Sequence, residues 1–314
     1  MQYRSVLDLQ MALASQHHRL PADIDLVVGI PRSGLLAANL LCLHLNTPLT
    51  DLDSYLEGRI YGTGFTKPDC QLSDGKKLNV LILDDSISSG RSMAEARDQV
   101  LRSRPDDNHI FAAVYGLWPD HKPCDFVFEE LPLPRLFQWN WMHHKCLKDA
   151  CLDIDGVLCH DPTREQNDDS HGYVEFLENA APLFLPSRKV KALVTSRLEK
   201  YRPQTEAWLR KNGVEYENLI MLDLPSHEER RKRQVHGQFK AEYYGSSDAT
   251  LFVESELRQA QVIQRVTQKP VLCTQTQTLV DGAAVGSMPA NGRNTAYVPS
   301  FAKRLKRKAI AMLK

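Results

Sequence analysis

Neither sign of charge is in excess: 39 lysines and arginines meet 39 aspartates and glutamates. Zero formal charge removes any bulk electrostatic case for a nucleic-acid partner, so an anion site must be local. No apolar run approaches the roughly 18 residues a membrane-spanning helix needs. The opening, MQYRSVLDLQMALASQHHRLP, lacks the continuous apolar stretch of a secretory signal. The seven cysteines, at positions 42, 70, 124, 146, 151, 159 and 273, form no C-x-x-C pair and no disulfide framework. That spacing fits a reducing cytoplasm and excludes a small stapled scaffold. Internal repeats are absent, which excludes solenoids and propellers. At 42% hydrophobic and 25% charged, the composition is also wrong for a disordered chain or a coiled coil.

What remains is an alternation of apolar strand-like runs and amphipathic helical segments, the pattern of α/β folds with parallel sheets. It occurs in two series. The first predicts a helix over Ser5–Gln16, a strand Ile24–Ile30, a helix Leu35–Leu45, a strand Asn79–Leu83, a helix Ser92–Ser103 and a strand His109–Leu117. Asp51–Lys77 is too long for an ordinary connection and reads as a functional loop. A Pro- and aromatic-rich stretch, Pro119–His144, closes the series. The second predicts strands at Ala150–Ile154, Val190–Thr195, Leu219–Leu222 and Thr250–Val253, with helices at Pro203–Asn212 and within Ser226–Tyr244. The expected architecture is two Rossmann-like parallel-sheet domains in tandem, residues 1–147 and 148–283, with a linker and basic segment over 284–314.

Val80–Met93 reads as a buried strand, two carboxylates, a small hydroxyl-rich loop and a helix start. Ligands of parallel sheets bind at such strand ends, and amides at a helix N-terminus bind phosphate. Small residues Ser86, Ser88, Ser89 and Gly90 let the main chain approach an anion, with Arg91 and Ser92 opening the helix. Asp84 and Asp85 suit the vicinal hydroxyls of a ribose and a Mg²⁺ ion. Upstream, Val28–Gly34 is a second strand and tight turn, whose Arg32, Ser33 and Gly34 offer a guanidinium and exposed amides to a diphosphate. Together these stretches resemble the 5-phosphoribosyl diphosphate (PRPP) motif and the pyrophosphate loop of type I phosphoribosyltransferases. The resemblance implies PRPP as substrate, with Asp51–Lys77 as the flexible catalytic loop carrying Arg59, Tyr61 and Lys67. It also implies an acceptor-binding hood at Cys124–His144. Trp139, Trp141 and Phe137 either stack on an acceptor there or pack in the core, and His143 and His144 read as structural residues rather than metal ligands. The position where 6-oxopurine enzymes carry an acid for the base is Ser88, which disfavours hypoxanthine or guanine as acceptor.

Ala150–Leu158 is an apolar strand interrupted by Asp153 and Asp155, a spacing that puts both carboxylates on one strand face, with Gly156 turning the chain away. Two such acids can divide nucleophilic and proton-transfer work, and burying them implies Mg²⁺. The stretch is similar to the first motif of haloacid-dehalogenase (HAD) superfamily phosphatases. That resemblance assigns Thr195 to phosphoryl orientation, Lys240 to charge neutralisation and Glu254 to the metal beside Asp153 and Asp155, with Glu256 in support. It also implies a capless fold, because Gly156–Leu193 and Ser196–Gln238 leave no room for a large inserted domain.

The fusion implies sequential chemistry: transfer of 5-phosphoribosyl from PRPP to an acceptor, then hydrolysis of the 5-phosphate to leave a ribofuranoside. Paired modules of this kind resemble those of bacterial capsule and O-antigen synthesis, whose acceptors are glycans or polyols. The alternative is a nucleobase phosphoribosyltransferase coupled to a 5′-nucleotidase. Residues 301–314 hold six basic residues and no acid, with Phe301, Leu305, Ala309, Met312 and Leu313 near one helical face. Peripheral contact with an anionic membrane, or a solvated terminal helix, both fit that pattern.

Overall fold

The computed structural model describes residues 1–63, 77–117, 123–167, 169–225 and 236–280. Its first domain comprises β1 (Gln2–Arg4), α1 (Val6–Gln16), β2 (Leu26–Gly29), α2 (Ser33–Leu45), β3 (Leu49–Asp51), α3 (Leu52–Leu56), β4 (Asn79–Ser86), α4 (Arg91–Ser103), β5 (Asn108–Gly116), β6 (Phe126–Glu130) and β7 (Arg135–Phe137). The second comprises β8 (Ala150–Leu152), α5 (His171–Asn179), β9 (Val190–Leu198), α6 (Arg202–Lys211), β10 (Tyr216–Leu222), α7 (His236–Ser246), β11 (Leu251–Glu254), α8 (Leu257–Thr267), β12 (Val271–Cys273) and β13 (Thr278–Val280).

Local chemistry sets several of these boundaries. A reciprocal capping box starts α1: Ser5 Oγ accepts the Asp8 amide and Asp8 Oδ2 accepts the Ser5 amide. β4 buries Val80, Leu81, Ile82 and Leu83 completely, as a central parallel strand covered on both faces must. α4 buries Met93, Ala96 and Val100, spaced three and four residues apart, and leaves its charged face outside.

The first sheet has the order β3-β2-β4-β5-β6 and is parallel throughout. From β2 the chain moves outward to β3, then crosses back to β4 on the other side. That reversal opens a crevice at the carboxyl ends of β2 and β4, where ligands of open parallel sheets bind. The second sheet has the order β10-β9-β8-β11-β12-β13, with only β13 antiparallel. Its corresponding reversal lies between β8 and β11.

The two domains share structure at their junction. β1 pairs with β7 in a small parallel sheet, joining residues more than 130 positions apart. Tyr3, Leu136, Trp141 and Met142 belong to the second domain's hydrophobic core, and the Tyr3 hydroxyl donates to Gln277 Oε1 at 2.7 Å. The expected boundary near Lys145–Lys148 falls in the turn before β8, but the packing crosses it.

Other departures from expectation are local. β4 continues to Ser86, so Asp84 and Asp85 lie within the strand rather than after it, and β9 runs past Thr195 to Leu198. The Asp51–Lys77 connection begins with α3, and Lys67 lies outside the described residues. The hood segment contributes β6 to the main sheet. Of the helix expected within Ser226–Tyr244, residues 226–235 lie outside the described residues, as do residues 281–314. Between β8 and β9 the described residues hold one nine-residue helix, α5.

Among the described residues Trp208 is the largest fully buried side chain, with its indole N–H donating to the Ala180 carbonyl at 2.8 Å. Trp208→Ala should destabilise the second domain by ~3–5 kcal/mol, measured by chemical denaturation. A loss below about 1 kcal/mol, the size of an average substitution, would contradict this packing.

Candidate functional site

At the first crevice the two loops are in direct contact. Ile30 N donates to the Leu83 carbonyl at 2.9 Å, which keeps the chain beside β4 beyond the end of β2. The Pro31–Arg32 peptide is cis, Arg32 is exposed, and Ser33 and Gly34 open α2. A Cβ on Gly34 would lie 2.8 Å from the Leu83 carbonyl and 3.0 Å from Asp84 Oδ1, closer than real side chains approach. Glycine is therefore required for this turn to press against β4.

Asp84 and Asp85 differ in their hydrogen-bond partners. Consecutive residues of a strand face opposite ways. Asp85 is buried, and both its oxygens are occupied: Ser33 Oγ donates to Oδ1 at 2.9 Å and Trp139 Nε1 to Oδ2 at 2.7 Å. Half-buried Asp84 accepts the Asp85 amide at 2.8 Å. Burial, reinforced by the neighbouring Asp85 charge, pushes its pKa up to about 8. Asp85 ties the turn at residues 31–34 to β4 and to the Trp139 segment.

Beyond β4, Ser88 and Ser89 are exposed and Ser86 is half-buried. Gly90, at φ +74°, is the N-cap of α4 and supplies no side-chain cap, so the first-turn amides at Arg91 and Ser92 face the loop. The loop is anchored at Ile87, whose amide donates to the Tyr115 carbonyl at 2.8 Å and whose carbonyl accepts from Arg135. Arg135 is buried and also donates to the Leu131 carbonyl at 3.1 Å, a role hidden in the sequence because its partners are backbone atoms. Arg59 pairs with Glu57, and the Tyr61 hydroxyl donates to Asp51. Phe137 and Trp141 are buried core residues, so neither is available to an acceptor. Trp139 stacks on Phe137 with ring centroids 4.7 Å apart. His143 meets Ser187 Oγ at 2.9 Å, and His144 Nδ1 accepts the Cys146 amide at 3.2 Å, as structural histidines do.

In the second domain a pocket of about 350 Å³ is lined by Asp153, Asp155, Asp161, Thr195, Lys240 and Glu256, among others. β8 ends at Leu152, so Asp153 and Asp155 lie on the turn beyond it rather than on one strand face. Asp153 is buried; Oδ1 accepts the Ile154 amide at 2.8 Å and Oδ2 accepts from Lys240 Nζ at 2.6 Å. Lys240 Nζ also donates to Glu254 Oε2 at 2.7 Å and Gln259 Oε1 at 3.0 Å. Burial opposes the ammonium, but Asp153 and Glu254 on either side outweigh it and raise its pKa. Burial raises the Asp153 carboxyl despite Lys240. Asp155 is held by the fully buried Arg197, at 2.6 Å from Nη2 and 3.2 Å from Nε. Thr195 and Arg197, two apart on β9, share a strand face, and Thr195 Oγ1 accepts the Arg197 amide at 3.3 Å. Gly156 has φ +73°, and a Cβ there would meet Ser255 Oγ at 2.4 Å.

The family model for the phosphoribosyl transferase domain matches residues 2–124, the part of the chain that carries the first crevice. That stretch is a phosphoribosyltransferase domain. Several solved structures are similar to the chain. The Helicobacter pylori xanthine-guanine-hypoxanthine phosphoribosyltransferase is 16% identical over 44% of this chain and 91% of its own, with a TM-score of 0.32. A purine phosphoribosyltransferase from Pyrococcus horikoshii is 21% identical over 44% and 92%, with a TM-score of 0.32. The orotate phosphoribosyltransferase from Aeropyrum pernix is 20% identical over 39% and 68%, with a TM-score of 0.29. No curated protein matches the chain.

The matched stretch contains Arg32, Ser33, Gly34 and the whole of 84–92, and none of the second pocket. In that pocket the expected metal trio of Asp153, Asp155 and Glu254 does not gather. A hard cation needs several oxygen donors converging on one point. Here Glu254 is buried beneath Lys240, its Oε1 accepting the Ser255 and Glu256 amides at 2.9 and 3.1 Å, while Asp155 is drawn to Arg197. Among the described residues no three His, Cys, Asp or Glu side chains could hold a metal ion together.

The phosphoribosyltransferase domain carries a pH signature. The Asp84 carboxyl is raised in the folded chain above its unfolded value, so its stabilising contribution is present below about pH 4 and is lost as pH rises toward 8. Asp84→Asn removes that loss. In metal-free buffer it should raise the thermal midpoint by roughly 2–4 °C at pH 8 and leave it unchanged at pH 4. Equal shifts at both pH values would contradict the assignment.

Proposed function

We propose that the chain is a bifunctional enzyme that transfers 5-phosphoribosyl from PRPP to an acceptor and then hydrolyses the 5-phosphate of the product. The transferase half is the activity of the domain matched over residues 2–124. The observation that carries it is the contact of two phosphate-suited turns at one crevice, with Ser33 on Asp85 and Gly34 against Asp84. In this reading Asp84 receives the ribose hydroxyls. The amides of Ser33 and Gly34 and the Arg32 guanidinium bind the diphosphate, and the amides of 88–92 bind the 5-phosphate. Mg²⁺ arrives with PRPP, as the counter-ion of a substrate with several negative charges. The acceptor hydroxyl attacks C1, the bond from C1 to the diphosphate oxygen breaks, and the acceptor proton is released.

The second half resembles HAD phosphatases, and what supports it is the grouping of Asp153, Asp155, Thr195 and Lys240 around one pocket. Asp153 Oδ attacks phosphorus as the ester oxygen leaves with a proton, and water then cleaves the aspartyl phosphate. Lys240 offsets the charge of the nucleophile and phosphoryl group, and Thr195 orients a phosphoryl oxygen. Asp155, oriented by Arg197, is the acid–base partner. The acceptor we favour is a glycan or polyol of surface-polysaccharide synthesis, because Ser88 stands where an oxopurine enzyme would carry an acid. The basic stretch 301–314, outside the described residues, would bring such an enzyme to a lipid-linked acceptor.

Incubation with PRPP, Mg²⁺ and a panel of nucleobases, ribitol and sugar acceptors tests the reading, with products followed by mass spectrometry. Asp153→Asn should accumulate a phosphorylated ribosyl product. Asp84→Asn should slow PRPP consumption ~10–100-fold, the loss of one hydrogen bond to a charged group, and leave hydrolysis of a generic phosphomonoester intact. Unchanged PRPP turnover in Asp84→Asn, or wild-type phosphate release by Asp153→Asn, would overturn the corresponding half; a nucleobase as the accepted substrate would replace the glycan. Removal of residues 301–314 should abolish co-sedimentation with anionic vesicles at low salt, and equal recovery of both forms in the supernatant would remove the membrane contact.

A further inference from the structure

The segment from Phe137 to Met142 links the two domains residue by residue. Phe137 is buried in the first domain's core between Tyr115, with ring centroids 5.3 Å apart, and Trp139, at 4.7 Å. Gln138 is tied to the N-terminal strand and helix: its amide donates to the Arg4 carbonyl at 3.0 Å, and its Oε1 accepts the Val6 amide at 2.8 Å. Trp139 presents its indole N–H to Asp85. Two residues on, Trp141 and Met142 are buried in the second domain's core, with Trp141 against Phe184. Residues 138–140 form a turn, with the Asn140 amide donating to the Phe137 carbonyl at 3.1 Å, and Trp141–His143 a short 3-10 helix, so the chain bends from one core to the other.

Stacked on Phe137, the Trp139 indole donates its N–H to Asp85 Oδ2 at 2.7 Å. Asp85 in turn holds Ser33, the first residue of α2 and part of the turn that receives the diphosphate. A buried carboxylate that loses a donor must find another or take in water, and either change loosens its grip on the remaining one.

We propose that Trp139 is a positioning residue of the PRPP site and that Trp141 is its anchor, so that packing of the second domain sets the affinity of the first domain for PRPP. The inference rests on the reading of the first crevice as a PRPP site. Trp139 touches no reacting atom; it acts through Asp85 on the Ser33 turn. The coupling gives the fusion a physical purpose: the transferase site is complete only in a chain whose phosphate-removing domain is folded beside it.

The test is titration calorimetry of Mg–PRPP into the full chain and three full-length variants. Trp139→Phe keeps the ring stacked on Phe137 and removes only the N–H. It should weaken Mg–PRPP binding about tenfold, equivalent to ~1.4 kcal/mol, while hydrolysis of a generic phosphomonoester stays at the wild-type rate. Trp141→Leu, which keeps the site an apolar one, should also weaken binding. The double variant should bind no worse than Trp139→Phe, because the anchor acts through the indole. Wild-type affinity in Trp139→Phe would overturn the inference and leave the PRPP reading standing. Multiplicative losses in the double variant would overturn the Trp141 coupling. No binding by the wild-type chain would remove the PRPP reading itself, and this inference with it.

Discussion

A buried carboxylate at the end of the central strand sets the geometry of the first domain. Asp85 cannot sit in the core without donors, and the two it has come from opposite ends of the domain: Ser33 at the head of α2 and Trp139 beyond β7. Satisfying one side chain therefore fixes three segments of chain. The turn after β2 is pressed so closely on β4 that only glycine fits at position 34. Both oxygens of Asp85 are thereby committed, while Asp84 beside it accepts the Asp85 amide at 2.8 Å. The cost of that arrangement is visible in the raised pKa of the Asp84 carboxyl, which burial produces and the adjacent charge deepens.

The second domain meets the same problem with a cation in place of neutral donors. Asp153 and Glu254 share Lys240, and Asp155 takes Arg197. Breaking such a pair strands a buried charge, which is far costlier than the pair is stabilising. The arrangement orients Asp153 with one oxygen on a backbone amide and the other on the ammonium. The pocket thereby holds a directed carboxylate beside a fixed positive charge.

The sequence made some of this legible and hid the rest, for reasons of distance along the chain. The strand, loop and helix over 79–103 could be read because apolar run, carboxylates, small residues and helix periodicity lie within about two dozen consecutive positions. The Asp153–Asp155 pair was legible for the same reason. The separate roles of Asp84 and Asp85 depend on partners 52 and 54 residues away, and the hold of Arg197 on Asp155 spans 42. The alternation rule alone, applied to a strand extended by three residues, would have placed the two acids on opposite faces. Three-residue strands such as Gln2–Arg4 and Val271–Cys273 carry no periodicity to read, and they form because the neighbouring strand offers hydrogen bonds. The helix Leu257–Thr267 escaped because its buried face is narrow, formed by Ala260, Ile263 and Gln264 in a polar, glutamine-rich run.

The central claim is that PRPP is held between the turn at 30–35 and the loop at 86–92, framed by the Asp85 tie. Hydrogen–deuterium exchange of the full chain with and without Mg–PRPP measures this directly and needs no knowledge of the acceptor. The account predicts slowed exchange in both segments together, with the amides around Asp153 and Lys240 unchanged. Protection confined to the second pocket, or no change in either loop at saturating PRPP, would contradict it.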